Sequence, residues 1–455
     1  MTAFDASAAH APPGPRAIPL VGNFLRYGLS PLRCAEYCRA EFGPVTRFWL
    51  RTPSRRWVGW LLTGPEQAEQ VLVERHRRYR KADTYDALRW VVGNGLLTAE
   101  GDLWRRQRRA ATPVFHRDRL RAMVSVARRH AEAFAAPLGR APRRVDVHRE
   151  ANTLALQVVC ETVFSASIRE DMPVIGDHLH VLMQHVVDRA VLPLPWLHEL
   201  PLPRRQRADR ALAGMDAIVD RMVAQSESTG FSGDDLISTF MAVRDDETGA
   251  PMSRQQLRDE VLTFLAAGHE TTANALAFTL ECLARYPAWQ EALHEELTGQ
   301  LGDRPVEFDD LQRLDLLRRV IDESMRLYPP AWSVERSAEE PDEIDGYAIA
   351  RDDLAIVSMW AIHRHPDHWP DPQRFDPDRF TAQASAGRHR AAYLPFGLGP
   401  RMCIGKHFAL FELQVILATL LRRVRVSPVS PAPPEVEALV TLRPRGGLPL
   451  TLSMR

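Results

Sequence analysis

Lysine is almost missing from this chain: Lys81 and Lys406 are the only two among 58 basic residues, the rest being arginine. The acidic residues also number 58, so no net charge draws the chain to nucleic acid, and the arginine excess reads as coding bias rather than as a polyanion-binding surface. Cysteine is scarce and odd in number, with Cys34, Cys38, Cys160, Cys282 and Cys403 and no C-x-x-C pair. That excludes a zinc ribbon and a disulfide-stapled scaffold, and it favours a reducing compartment. No run of about eighteen apolar residues occurs. Met1 to Arg16 also lacks the charged-then-apolar pattern of a signal peptide, so a cytoplasmic protein without a membrane anchor is expected.

What is present is the balance of an ordinary globular protein, 45% apolar and 25% charged over 455 residues. Residues 1–16 are small, polar and proline-rich, and disorder is expected there. Val45 to Leu50 and Trp57 to Leu62 read as a β-hairpin, and Pro65 to Arg77 as a short helix. Residues 81–99 read as a loop with a flexible, apolar end at Gly93 to Leu97. Helical patterning then dominates from Leu120 to Gln225, broken by the proline-dense stretch Leu192 to Pro203, which reads as a lid. His178, His180 and His185 precede that stretch without a carboxylate or cysteine at ligand spacing.

The longest periodic segment runs from Ser253 to Tyr286, with Ser253 and Gln256 spaced as a helix cap and Pro287 as a stop. Its apolar residues cover more than one face, so its middle must be buried. Yet that middle carries Ala267-Gly268-His269-Glu270-Thr271-Thr272. A mid-helix glycine costs about 1 kcal/mol, and a buried glutamate costs more unless partnered. Local rules broken together mark a functional site. A further helix, Asp309 to Tyr328, places Glu323 and Arg326 three residues apart. Strands are expected at Trp332 to Arg336, Tyr347 to Ala350 and Leu354 to Ser358, and a closing hairpin at Leu439 to Leu452 around Gly446-Gly447.

Cys403 stands on the Gly/Pro-rich loop Phe396 to Gly405, directly before the apolar-periodic run Lys406 to Leu421. A helix N-terminus offers free N–H groups and partial positive charge, which favours a thiolate, the metal-binding form. The pattern Phe-x-x-Gly-x-Arg-x-Cys-x-Gly, met here by Phe396, Gly399, Arg401, Cys403 and Gly405, resembles the cysteine-ligand loop of the cytochromes P-450 of soluble bacterial type. Trp104 with Arg108, the Ala267 to Thr272 box, and Glu323/Arg326 with Arg379 match further motifs of that family, in its order, so the resemblance covers nearly everything after residue 16.

The resemblance implies a mainly α fold with a smaller β-rich lobe, a single haem domain over 17–455, and haem b as cofactor with the Cys403 thiolate as axial iron ligand. Phe396 and Gly405 would flank the sulfur, and Trp104, Arg108, Arg336 and Arg401 would hold the haem propionates. Gly268 would leave room for dioxygen, while Glu270 and Thr271 would form the acid–alcohol pair that delivers protons. Glu323, Arg326 and Arg379 would brace the cysteine loop. Leu96, Leu97, Ala267, Trp332, Val334 and Val440 would line an apolar substrate pocket. The implied activity is a monooxygenase that hydroxylates or epoxidises a hydrophobic small molecule such as a terpenoid, fatty acid or steroid. A peroxygenase or isomerase, or a non-catalytic haem carrier, is the alternative. No electron-transfer module is fused to the chain, so a separate ferredoxin or flavodoxin with its NAD(P)H reductase is expected, docking on Arg105, Arg106, Arg109 and Lys406.

Overall fold

The computed structural model describes residues 13–18, 22–51, 56–164, 171–191, 200–228, 236–242, 249 and 251–455. Most of the segment expected to be disordered, and the lid up to residue 199, lie outside these. Pro13 to Arg16 do not behave as a free tail: Arg47 N donates to Pro13 O at 3.1 Å, and Asn23 Nδ2 reaches Pro15 O and Arg16 O at 3.2 Å. One strand amide and the Asn23 side-chain amide supply what composition alone could not show.

The central helix Arg254–Arg285 is the axis of the fold. At about 1.5 Å per residue its 32 residues span roughly 48 Å. Ser253 Oγ caps it by accepting from Gln256 N at 3.2 Å. Leu257, Val261, Leu265, Leu276 and Leu283 are at most 1% exposed, as an all-round apolar helix requires. It packs along Val147–Val163, and the cysteine helix Lys406–Leu421, also buried along most of its length, packs against Arg117–Ala135. These helices share one large core.

The β-rich lobe is a five-stranded sheet in the spatial order Val45–Arg51, Arg56–Leu62, Leu354–Val357, Val334–Ala338, Tyr79–Lys81. The first two strands form the expected hairpin. Arg336 pairs with Lys81 across the edge of the sheet, a register that matters below.

Four expectations are corrected. Pro65 to Arg77 is not one helix: Pro65–Glu69 widens into a π turn at Gln70–Glu74, followed by a tight turn at His76–Arg78. The widened turn puts Leu72 O against the cysteine loop. Residues 81–99 contain a helix, Asp86–Val92, because Leu88, Val91 and Val92 form a buried i, i+3, i+4 stripe. The helix expected from Asp309 begins only at Asp315, after a tight turn at Phe308–Asp310. The tail is no hairpin. Leu442–Pro444 pairs with Val436–Ala438, whereas Pro449–Met454 inserts between Arg143–Asp146 and Val424–Pro428. Gly446 and Gly447, at φ 73° and 93°, turn the chain from one sheet to the other.

Candidate active site

The cysteine loop is closed by its own backbone. Cys403 N donates to Phe396 O at 2.9 Å, and Gly397 and Gly399 take φ 71° and 73°. A Cβ on Gly399 would stand 2.1 Å from Leu72 O, so only glycine permits this approach. The amide of Gly405 points at the sulfur, and Arg108 reaches over the loop to donate to Met402 O at 2.8 Å. Cys403 is exposed, yet it lies deep enough that burial pushes its thiol up, against the lowering pull of the Gly405 amide, Arg108 and Lys406. Both properties belong to a sulfur that faces an interior hollow. Burial thus opposes the thiolate form that the helix start, Arg108 and Lys406 favour. A coordinated metal would override burial, because it deprotonates its thiol outright.

The central helix answers this hollow. In the middle of an otherwise buried element Ala267 is exposed, and Phe264, Gly268, Glu270 and Thr271 are partly so. Phe115 links the two sides: its ring stacks on Phe264 at 5.9 Å and meets Phe408 edge-on at 6.3 Å, and a Cβ on Gly405 would touch it at 3.7 Å. Gly268 serves packing as well. A Cβ there would meet Val159 Cγ2 at 3.2 Å, so the missing side chain lets the central helix close on Val147–Val163, and Ala267 is the residue that looks into the hollow. Thr271 Oγ1 donates to Ala267 O at 2.7 Å, one turn back. Glu270 has His269 beside it and acts electrostatically on His148 of the neighbouring helix.

Cations crowd one flank. The Arg401 guanidinium lies 4.1 Å over the Trp104 ring, donates to Ala99 O at 2.7 Å and pairs with Glu100. Arg336 is buried and donates to Glu335 O at 2.9 Å, and the Lys81 ammonium sits 4.4 Å over Tyr85. Burial first, and then Arg336 and Arg401, hold Lys81 well below the ordinary lysine range. Burial, with Arg336 and Arg108 adding to it, lowers Arg401 to about 10 despite Glu100. Buried cations that depress one another around one carboxylate call for further negative charge. Two carboxylates beside an accessible thiol would supply it, so the residues present fit a haem with its propionates on this flank and its iron at Cys403.

Behind the loop lies the expected triad. Glu323 accepts from Arg326 Nε at 2.6 Å and Nη2 at 2.7 Å, and Arg379 pairs with it at 3.3 Å. Arg326 also donates to His363 O, Pro372 O and Arg374 O at 2.9, 2.8 and 3.1 Å. His363 Nε2 in turn accepts from Leu394 N at 2.9 Å, two residues before Phe396.

The pocket residues are only partly gathered. Trp332 Nε1 donates to Leu439 O at 2.9 Å, which joins it to the turn bearing Val440, itself 37% exposed. Leu96 is buried, and its amide donates to Glu260 Oε2 on the central helix at 3.0 Å. Leu97 is half-buried, and Val334 pairs with Val357 within the sheet. The sequence reading missed Lys81, Glu100, Phe115 and the carboxylates Asp259 and Glu260 that anchor the Gly93–Leu96 turn. Lys81 did carry a signal, as one of two lysines in an arginine-biased chain.

A thiol-bearing loop at a helix start, faced by a helix whose burial is relieved at Ala267 and flanked by cations that outnumber the one carboxylate among them, fits a haem-thiolate protein. A Cytochrome P450 family profile matches residues 12–450. The chain belongs to the cytochrome P450 family. It is similar to cyclooctat-9-en-7-ol 5-monooxygenase of Streptomyces melanosporofaciens, 34% identical over 418 residues that cover 91% of this chain and 89% of the relative. Pentalenene oxygenase of Streptomyces avermitilis is 30% identical over 442 residues, 97% of each chain. The crystal structure of the cytochrome P450DA haem domain superposes with a TM-score of 0.85 at 26% identity, covering 98% of both chains. The expected fold, cofactor and enzyme class are therefore borne out: this is a monooxygenase that uses haem with a cysteine thiolate ligand, dioxygen and a redox partner to oxidise a hydrophobic substrate. Among the described residues no helix is long and apolar enough to cross a membrane.

Proposed function

We propose that the chain hydroxylates or epoxidises a terpenoid, with Cys403 as the iron ligand and electrons from a separate ferredoxin or flavodoxin. The observation that carries the site assignment is the accessible, deeply set Cys403 sulfur beside the cation cluster of Lys81, Arg336, Arg401 and Arg108, in which Glu100 is paired with Arg401. Haem, when bound there, supplies the activation of dioxygen and the insertion of one oxygen atom into the substrate.

The protein's own groups do the rest. Arg108, Arg336, Arg401 and the Trp104 indole would hold the propionates by charge-assisted hydrogen bonds. The Gly405 amide, directed at the sulfur, stabilises the thiolate and tunes it. Glu270 and Thr271 move protons inward from the central helix, and Leu96, Leu97, Ala267, Trp332, Val334 and Val440 present an apolar wall to the substrate. A terpenoid is favoured over a fatty acid because two relatives are named for the oxidation of an alkenol and an alkene, cyclooctat-9-en-7-ol and pentalenene. The test is a spin-state titration of the ferric protein with cyclic terpene hydrocarbons and alcohols, fatty acids and steroids. A blue shift of the Soret band with the terpenes alone is expected. A shift with fatty acids alone would overturn the substrate class, and loss of the thiolate-type spectrum should follow Cys403→Ser.

A further inference from the structure

Asn274 has no part in the roles assigned so far. It is fully buried between Ala273 and Ala275 in an apolar run of the central helix, where a polar side chain breaks the local rule. It stands seven residues beyond Ala267, two turns and about 10 Å along the axis, and within about 20° of the same face. The stripe that looks into the hollow at Ala267 is therefore closed at Asn274, and the tip of a hairpin closes it. Val436–Ala438 pairs with Leu442–Pro444, so Leu439, Val440 and Thr441 form a three-residue tip. Asn274 Nδ2 donates to Thr441 Oγ1 at 3.1 Å, while its Oδ1 accepts from His148 Nε2 at 2.9 Å, which fixes the way the amide faces. The other side of the tip is held by the segment that leads into the strand Val334–Ala338. Trp332 Nε1 donates to Leu439 O and Leu442 N to Pro330 O, both at 2.9 Å. Val440, at the apex, is 37% exposed although Thr441 and Leu442 beside it are buried.

We propose, resting on the reading of Ala267 and Val440 as pocket wall, that Asn274 is a positioning residue that fixes the hairpin tip against the central helix. It thereby sets how far Val440 stands from the iron, and so how long a substrate the pocket accepts. The two sides of the tip are tied to different parts of the fold, one to the segment Pro330–Trp332 and one to the helix that carries Ala267, Glu270 and Thr271. A tip tied on one side only can swing about that side; tied on both, it holds Val440 at one depth. Removing the acceptor on Thr441 leaves a buried amide hydrogen of Asn274 unpaired, a cost that the tip relieves by drawing away from the helix. His148 acts one step further back. By engaging the amide oxygen it prevents Asn274 from turning its hydrogens away from Thr441. Val440 itself carries no polar group, so it reads the ligand by shape alone, and the hydrogen bonds behind it decide where that shape lies.

The test needs no knowledge of the substrate. The ferric holoprotein is titrated with imidazole, 4-phenylimidazole and 4-(biphenyl-4-yl)imidazole, ligands that bind iron through nitrogen and differ in length, and Kd is read from the red shift of the Soret band. Imidazole alone is too short to meet the far wall, so its Kd should be the same in every variant and serves as the reference. Thr441→Val keeps the shape of the side chain and deletes the acceptor; it should raise the preference for the biphenyl ligand over imidazole by roughly fivefold, the size of one net hydrogen bond. Asn274→Leu should do the same. The double variant should go no further than Asn274→Leu, because both changes remove one contact. Should Asn274→Leu fail to fold, Asn274→Asp takes its place, since it keeps an acceptor for His148 and loses the donor to Thr441. A preference that is unchanged or falls in Thr441→Val would overturn the proposal, as would a double variant whose effect is the product of the two single ones. Val440→Phe is run alongside to check the pocket reading itself, and it should lower the preference for the biphenyl ligand. If it does so while Thr441→Val and Asn274→Leu change nothing, the role of Asn274 alone fails. If Val440→Phe also changes nothing, the tip does not face the ligand, and the pocket reading fails together with the inference built on it.

Discussion

Glu323 grips Arg326 with both carboxylate oxygens, at 2.6 Å to Nε and 2.7 Å to Nη2, where neither side chain reaches solvent. Arg326 spends its other N–H groups on three carbonyls of the segment that leads toward the cysteine loop, His363, Pro372 and Arg374. Burial raises the Glu323 carboxyl while Arg326, the Asp376 amide and Arg379 lower it. Removing one partner of such a pair leaves a buried, uncompensated charge and costs about 3–5 kcal/mol. Glu323→Gln should therefore lower the unfolding midpoint sharply and reduce haem content at expression. A variant that purifies with full haem and an unchanged urea midpoint would show that the triad does not brace the loop.

Thr271 bonds back to Ala267 O at 2.7 Å, so its hydroxyl is engaged but sits beside the one exposed residue of the buried helix middle. Thr271→Ala should leave haem binding and the ferrous carbon monoxide spectrum intact while peroxide released per NADPH rises several-fold. Thr271→Ser, which keeps the hydroxyl, should restore most of the loss. Equal peroxide from all three proteins would remove Thr271 from proton delivery.

How far these sites were legible in the sequence depends on the range of the interactions that build them. Cys403, the Trp104/Arg108 spacing and the Glu323/Arg326 pair are local patterns written over a few residues, and the resemblance to a known family singled them out. The third member of the triad, Arg379, is distant in sequence and was placed by resemblance alone. Lys81 and Glu100 belong to the cation cluster only because Lys81 pairs with Arg336 across the sheet edge and its amide donates to Glu100 Oε1 at 2.8 Å. Strand register sets the first contact and the side chain at the N-cap position of the Gly101–Ala111 helix makes the second, and no local pattern encodes either. The closing hairpin failed because the two strands around Gly446-Gly447 part: Leu442–Pro444 pairs with the nearby Val436–Ala438, while Pro449–Met454 pairs with the distant Arg143–Asp146 and with Val424–Pro428. Gly268 was named through the resemblance, and the close approach to Val159 that its missing side chain permits is a long-range packing detail that no local pattern shows.

The redox partner should recognise charge on the exposed face of Gly101–Ala111, where Arg105, Arg106 and Arg109 are exposed near the cysteine loop to which Arg108 is bonded. Charge reversal at Arg105 and Arg109 should slow reduction of the ferric protein by a ferredoxin at low ionic strength. The difference should shrink as salt rises, since the Debye length falls to about 8 Å at physiological ionic strength. Stopped-flow reduction across a salt series decides this, and a salt-independent rate in both proteins would place the docking face elsewhere.

Glu260 is buried under the turn that precedes the Trp104 helix, with Oε2 accepting from Leu96 N at 3.0 Å and Oε1 without a protein partner. Burial pushes its carboxyl from the ordinary 4.5 up to about 8. The folded state therefore binds more protons than the unfolded one across this window. The stabilising contribution of the neutral acid is complete below about 4.5 and is lost as pH rises to about 8. Glu260→Gln keeps the acceptor and removes the titration, so it should gain stability relative to wild type between pH 5 and 8, on the order of a few kcal/mol. Hydrogen exchange at the Leu96 amide should accelerate with pH beyond its intrinsic slope in wild type only. Parallel pH profiles in the two proteins would mean that Glu260 is already ionised at neutral pH.

Gly399 packs directly on the backbone of the widened turn, where a Cβ would approach Leu72 O to 2.1 Å. Its φ of 73° adds a conformational penalty for any L side chain. Neither cost can be relieved by rotating a side chain, because the obstacle is backbone held in the widened turn Gln70–Glu74. The loop itself must move in Gly399→Ala, and Cys403 moves with it, because Cys403 N is tied to Phe396 O at 2.9 Å across the same turn. The expected outcome is a protein that folds, since the helical core does not depend on this contact, but retains little haem and converts readily from the thiolate-type to the thiol-type ferrous carbon monoxide spectrum. A Gly397→Ala control separates the causes: its φ is also positive, at 71°, but nothing lies within 4 Å of the added Cβ. If both variants lose haem equally, backbone strain in the loop is responsible, whereas loss confined to Gly399→Ala would assign it to the contact with Leu72.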